Sequence, residues 1–198
     1  MKKTFLFLSA IVLAGLAFDG CKKGEGDPFL SLKTRDGRIT AKWKLTKIVG
    51  TDISTNVVGT ITYVTTDAIS FDGTTYSDIA TTTASSGPAP SAVTTGGTGT
   101  YEMTIDKHGK VTWSTTYTKT APTTAPADVR TGEGHWQWLS SDKRKDNLLI
   151  DGSGTLFSGG LDDVYELKGK ELVLKYTYKT VNGGQTTSYD DTYTFTKQ

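Results

Sequence analysis

From Tyr101 onward, large side chains return at every second position. Tyr101, Met103 and Ile105 alternate with Glu102, Thr104 and Asp106; after Asp106-Lys107-His108-Gly109, the series Val111, Trp113, Thr115 and Tyr117 alternates with Thr112, Ser114 and Thr116. A period of two places the two sets on opposite faces of a strand, whereas a helix would scatter each set around its circumference. Gly109 stands where a longer hairpin loop needs positive φ, so register and turn predict the same antiparallel hairpin.

The pattern recurs along the chain. Trp43 and Leu45 point one way, with Lys47, while Lys44, Thr46 and Ile48 point the other. A second hairpin runs from Tyr165 and Leu167 through Lys168-Gly169-Lys170 into Leu172, Leu174, Tyr176 and Tyr178, and the turn Asn182-Gly183-Gly184 leads into Tyr189, Asp191, Tyr193 and Phe195. Further strands are expected over His135 to Ser140, Asn147 to Asp151 and the β-branched run Val57 to Ser70, with Phe71-Asp72-Gly73 as a turn. The sum is eight or nine strands and no amphipathic helix. Ala80 to Gly99 and Thr118 to Asp128 are nearly all small or polar. They are predicted as long loops leaving one end of the Tyr101 hairpin, where ligands commonly bind.

Strands in sequence joined by tight turns form an antiparallel meander, and a sheet with one apolar face either curls into a barrel or packs on a second sheet. The meander favours an all-β barrel, which leaves no edge strands, over the alternative β-sandwich. At about eight strands such a barrel holds its own side chains and, where these are small, one small ligand.

The first twenty-one residues concern location. Lys2 and Lys3 precede an uncharged run from Thr4 to Phe18, and Gly20 stands before Cys21, the only cysteine. The run is too short for the ~20 residues of a membrane span and reads as a signal peptide over residues 1–20. Phe18-Asp19-Gly20-Cys21 resembles a bacterial lipobox, which implies cleavage before Cys21 and diacylglycerol with palmitate-type chains on its sulfur. Two or more chains anchor stably, each buried methylene contributing about 0.8 kcal/mol. Residues 21–40 then form a lipidated, flexible tether rich in glycine and charge, and 41–198 the folded domain, within a mature chain of 198 − 20 = 178 residues. Lysine plus arginine (22) balances aspartate plus glutamate (21), so nothing draws the chain to nucleic acid.

Ala41-Lys42-Trp43-Lys44-Leu45, Tyr101-Glu102-Met103-Thr104-Ile105-Asp106 with its glycine turn, Tyr165-Glu166-Leu167 followed by Lys170-Glu171-Leu172-Val173-Leu174, and the closing Tyr193-Thr194-Phe195 together resemble the lipocalin-like lipoproteins common in Bacteroidetes. The resemblance covers about Lys22 to Gln198, including Cys21-Lys22-Lys23-Gly24 and Asp27-Pro28-Phe29. It implies an eight-stranded up-and-down barrel with Trp43 plugging one end, held at the bacterial outer membrane, its periplasmic or outer face left open.

No catalytic set emerges. His108 lies in a turn and His135 beside Glu133, and two distant histidines do not make a zinc site. Gly152-Ser153-Gly154 and Gly96-Gly97-Thr98-Gly99 lead into no helix and so form no phosphate cradle. Asp162-Asp163 and Asp190-Asp191 are acidic, but neighbours on a strand face opposite ways, so no metal or cofactor is expected. Asp142 to Asp146 reads as a charged turn. The aromatics remain: Trp43, Trp113, Trp136, Trp138 and Tyr101 are candidates either for core or for the wall of a ligand site. The expected function is a membrane-anchored, non-enzymatic lipoprotein that takes a small apolar ligand. The alternative is an accessory or glycan-binding subunit of an outer-membrane complex, using its loops or exposed tryptophans.

Overall fold

A computed structural model describes residues 34–87, 89–139, 147–151 and 161–198. The expected signal segment, Cys21, the expected tether up to residue 33, the charged run Asp142 to Asp146 and Gly152-Ser153-Gly154 lie outside the described residues. A short helix α1 (Arg35–Ile39) leads into ten strands: β1 (Ala41–Val58), β2 (Ile61–Phe71), β3 (Thr75–Ala84), β4 (Ser91–Ile105), β5 (Lys110–Ala121), β6 (Asp128–Trp138), β7 (Asn147–Asp151), β8 (Leu161–Leu167), β9 (Glu171–Asn182) and β10 (Gln185–Lys197). Each strand pairs antiparallel with the next, and β1 pairs with β10, so the sheet closes into a barrel.

Closure depends on the length of β1. One of its edges pairs with β10 from Trp43 to Thr55. Its other edge pairs first with β4, over Ala41 to Lys44, and then with β2, over Ile48 to Val58. Strands β1 to β4 therefore close a ring of four by themselves, and the remaining strands complete the larger circuit.

Four expectations are corrected. The barrel has ten described strands, where an eight-stranded one was expected, because Ala80 to Gly99 is not a loop: it supplies the end of β3 and most of β4. Likewise Thr118 to Ala121 continue β5, and Asp128 opens β6. Threonine suits a pleated strand, and a closed sheet satisfies every backbone group without needing large side chains at an open mouth. Third, Ile48 faces the interior with Trp43 and Leu45, because a one-residue bulge between Leu45 and Lys47 flips the alternation. Fourth, the end of the supposed tether is ordered. Thr34 caps α1 by accepting a hydrogen bond from the Gly37 N–H, and Arg35, Arg38 and Ile39 of the helix are buried.

Helix α1 seals one end. The Arg35 guanidinium donates to the Val164 carbonyl at 3.2 Å, and that of Arg38 donates to the Leu167 carbonyl at 2.5 Å, which ties the helix to β8. Beneath it Trp43 is fully buried, its indole N–H donating to the Ile39 carbonyl at 2.7 Å, with the Lys197 ammonium 6.0 Å from its ring. Leu172, Leu174, Leu148, Ile150 and Phe195 fill the space around it. Trp43→Ala would leave a large cavity and an orphaned Ile39 carbonyl; we expect it to cost about 3–5 kcal/mol. Val181→Ala, on a side chain 67% exposed, should change stability by no more than about 0.5 kcal/mol. Urea unfolding midpoints of the two variants check this.

Candidate ligand-binding cavity

The five aromatics singled out in the sequence divide between two levels. Trp136 and Trp138 meet edge to face with ring centres 6.0 Å apart at the α1 end. Their indole N–H groups donate to the Asp106 carbonyl at 2.7 Å and to Asp36 Oδ1 at 2.6 Å, and the Arg35 guanidinium lies 5.7 Å over the Trp138 ring. These two, like Trp43, fasten the closed end. Tyr101 and Trp113 sit further along, their rings stacked at 6.4 Å, and Tyr101 also meets the edge of Phe195 at 6.3 Å. Gly132 makes room for Trp113: a Cβ there would lie 2.4 Å from the indole. None of the four tryptophans is exposed.

Beyond Tyr101 the filling stops. A cavity of about 390 Å³ is lined by Leu45, Ile48, Phe71, Tyr76, Tyr101 and Tyr117, with Gly99, Thr100, Thr115 and Thr116 completing its wall. Its lining comes from all of β1 to β5, and it lies where β2 and β3 enter the ring. Small residues shape it. A Cβ on Gly97 would lie 2.5 Å from the Tyr117 ring, and one on Gly99 would lie 2.2 Å from the Thr116 carbonyl oxygen. The Tyr117 ring therefore lies against the backbone of β4, its hydroxyl donating to the Gly96 carbonyl at 3.3 Å, and Tyr76 meets it edge-on at 6.1 Å.

Above this apolar pocket the same inner face becomes acidic. Register places Asp52 opposite Asp67, and Asp191 opposite Gly50, one inward position from Asp52. Asp78 is opposite Ile69, one inward position from Asp67. A Cβ on Gly50 would fall 1.8 Å from Asp191 Oδ1, so that carboxylate lies directly over the glycine. Facing residues on one side of a sheet have Cβ atoms about 5 Å apart, and like charges there repel. Burial, followed by Asp191, Asp67 and Asp78, raises the Asp52 pKa from 3.8 to about 6. Burial raises Asp191 as well, against the opposing hydrogen bond from Tyr193, and burial with Asp67 raises Asp78. Burial followed by Asp78, Tyr117, Asp52 and Asp191 pushes the Tyr76 hydroxyl up to about 12.

Sequence reasoning did not single out Asp52, Asp67 or Asp78. Their signal was a carboxylate at an inward position of each strand: Ile48-x-Gly50-x-Asp52, Asp67-x-Ile69-x-Phe71 and Tyr76-x-Asp78. Asp190 and Asp191 do face opposite ways, the first exposed and the second buried. Both histidines are exposed, His108 beside Asp106 at 3.8 Å and His135 beside Asp151 at 3.5 Å. Among the described residues no group of three or more His, Cys, Asp or Glu side chains is arranged to hold a metal ion.

The Asp52 shift has a consequence for stability. A carboxyl whose pKa is higher folded than unfolded binds its proton more tightly in the folded chain, so its contribution is favourable at low pH and is lost as pH rises through about 6. Asp52→Asn should therefore stabilise the chain at pH 8 by about 1 kcal/mol, after discounting for water in the open mouth. The gain should shrink to nothing near pH 4, and denaturant unfolding at pH 4, 6 and 8 measures it. In comparisons with known proteins, the chain matches no family model, no curated protein and no solved structure.

Proposed function

We propose that this chain is a membrane-anchored, non-catalytic lipoprotein whose lipocalin-like barrel takes a small apolar ligand into the cavity between β1 and β5. The observation that carries the reading is the cavity itself. At about 390 Å³ it falls in the usual size range of small-molecule sites. Its walls are mainly aliphatic and aromatic, from Leu45, Ile48, Phe71, Tyr76, Tyr101 and Tyr117. The lipocalin-like assignment draws support from the antiparallel closed barrel and from Trp43 buried at the α1 end. The anchor reading rests on the apolar N-terminal run and Cys21, and the outer-membrane location on the resemblance to lipocalin-like lipoproteins.

The alternative, an accessory or glycan-binding subunit, would need long loops or exposed tryptophans. Ala80 to Gly99 and Thr118 to Asp128 lie largely in strands, Trp43 and Trp113 are buried, and Trp136 and Trp138 are half-buried, which leaves that reading less surface to use.

Two measurements test the proposal. Cys21→Ala should move the protein from the membrane to the soluble fraction on cell fractionation, and retention of the variant on membranes would sink the anchoring claim. N-phenyl-1-naphthylamine, a neutral apolar dye, should gain fluorescence on binding the protein. Thr115→Trp or Ile48→Trp, which project a large ring into the cavity, should weaken that binding at least about tenfold, a loss of 1.4 kcal/mol. Unchanged dye binding in both variants would place the ligand elsewhere.

A further inference from the structure

We propose that the ligand is an organic cation: an apolar body seated in the cavity, with an ammonium group held among Asp52, Asp78 and Asp191. This inference rests on the cavity-binding reading above and names the chemical class of its ligand.

Asp52 Oδ1, Asp78 Oδ1 and Asp191 Oδ1 are each buried and have no hydrogen-bond partner. Asp191 is only 6% exposed; its other oxygen accepts from the Tyr193 hydroxyl at 3.2 Å, and Oδ1 lies over Gly50, one inward position from Asp52. Among the described residues no ion pair joins Asp52, Asp67, Asp78 or Asp191 to a lysine, arginine or histidine. Lys119 has the inward parity of β5, opposite Gly97, yet makes no such pair. Buried acceptors without donors are costly, and several carboxylates gathered on one inner face are costlier still. A cation entering the barrel supplies both the missing donors and the missing charge.

The surroundings select the kind of cation. Tyr189 stands opposite Asp52 on β1 and opposite Tyr178 on β9, and Tyr176 stands opposite Asp191. The three tyrosines thus share the face of the aspartates. Their rings lie 5.9 to 6.5 Å apart, so a bank of aromatic faces borders the acids. Aromatic faces attract ammonium and quaternary ammonium groups. The described acids are not arranged as metal ligands, and they are spread over four strands, β1, β2, β3 and β10, which suits a cation larger than a metal ion. The apolar half of the ligand is set by continuity. Ile48, Phe71 and Tyr76 line the cavity, and each lies two residues along its strand from a member of the acidic layer or that member's direct partner: Gly50, Ile69 and Asp78.

The test uses the full-length chain carrying Cys21→Ala, so that no detergent competes for the probes. Octyltrimethylammonium, 1-octanol and octanoate are titrated by calorimetry at pH 7.5. The ammonium is expected to bind at least about tenfold more tightly than octanol, and octanoate most weakly. The double variant Asp52→Asn, Asp191→Asn should lose the preference for the ammonium while still binding octanol, which shows that its barrel is intact. Equal binding of octanol and the ammonium overturns the cation proposal and leaves the apolar-ligand reading in place. So does a preference that survives in the double variant. Failure of all three probes to bind overturns the cavity reading, and the cation proposal with it.

Discussion

Everything in this barrel depends on β1 being hydrogen-bonded along both edges. Its eighteen residues reach from the helix-sealed end to the far mouth, and no single neighbour could cover that length. β10 takes one edge; β4 and then β2 take the other. Without the short β4 contact at Ala41 to Lys44, that edge of β1 would reach β4 only through the β2–β3 hairpin. With it, the α1 end closes tightly around Trp43, and the ring widens only beyond that level. The cavity is a result of this arrangement, since it opens where two additional strands join the wall.

The same strand carries the polarity gradient that organises the interior. Reading inward positions from the start of β1, Trp43 and Leu45 are core, Ile48 lines the cavity, Gly50 yields its space to the Asp191 carboxylate, and Asp52 belongs to the acidic layer. β10 runs antiparallel beside it and repeats the order in reverse, from Asp191 through Tyr193 to Phe195. A packed core thus passes through a hollow into a charged mouth over a few residues. Stability is concentrated at one end, in buried aliphatic and aromatic area. The other end gathers carboxylates on one inner face, where like charges repel.

Much of the strand pattern was legible in the residues. The three hairpins around Gly109, Gly169 and Gly183 follow from alternation and turn chemistry, both of which act over a few residues. The errors arose where composition stood in for pairing. Ala80 to Gly99 contains too little apolar area to hold itself together and so reads as loop; it supplies the end of β3 and the start of β4 because the two pair with each other and with β2 and β5 on either side. Ile48 appeared to face outward because a bulge is a one-residue event that leaves no mark in the alternation on either side of it. Arg35 and Arg38 read as tether because their partners, the Val164 and Leu167 carbonyls, lie 129 residues away.

By itself, then, the sequence determined that the chain is an antiparallel all-β domain. Period-two alternation and glycine turns are local properties that any three-dimensional arrangement must respect. It also supplied an uncharged run from Thr4 to Phe18 and a single cysteine, from which the proposed anchor is read. Only the tertiary structure decided how many strands close the ring, which aromatics become core and which line a hollow, and that aspartates from β1, β2, β3 and β10 share one inner face. The physical reason is sequence separation. Asp52, Asp67 and Asp78 are brought together by neighbouring strands, but Asp191 joins them only because β10 closes on β1, a pairing of residues more than a hundred positions apart.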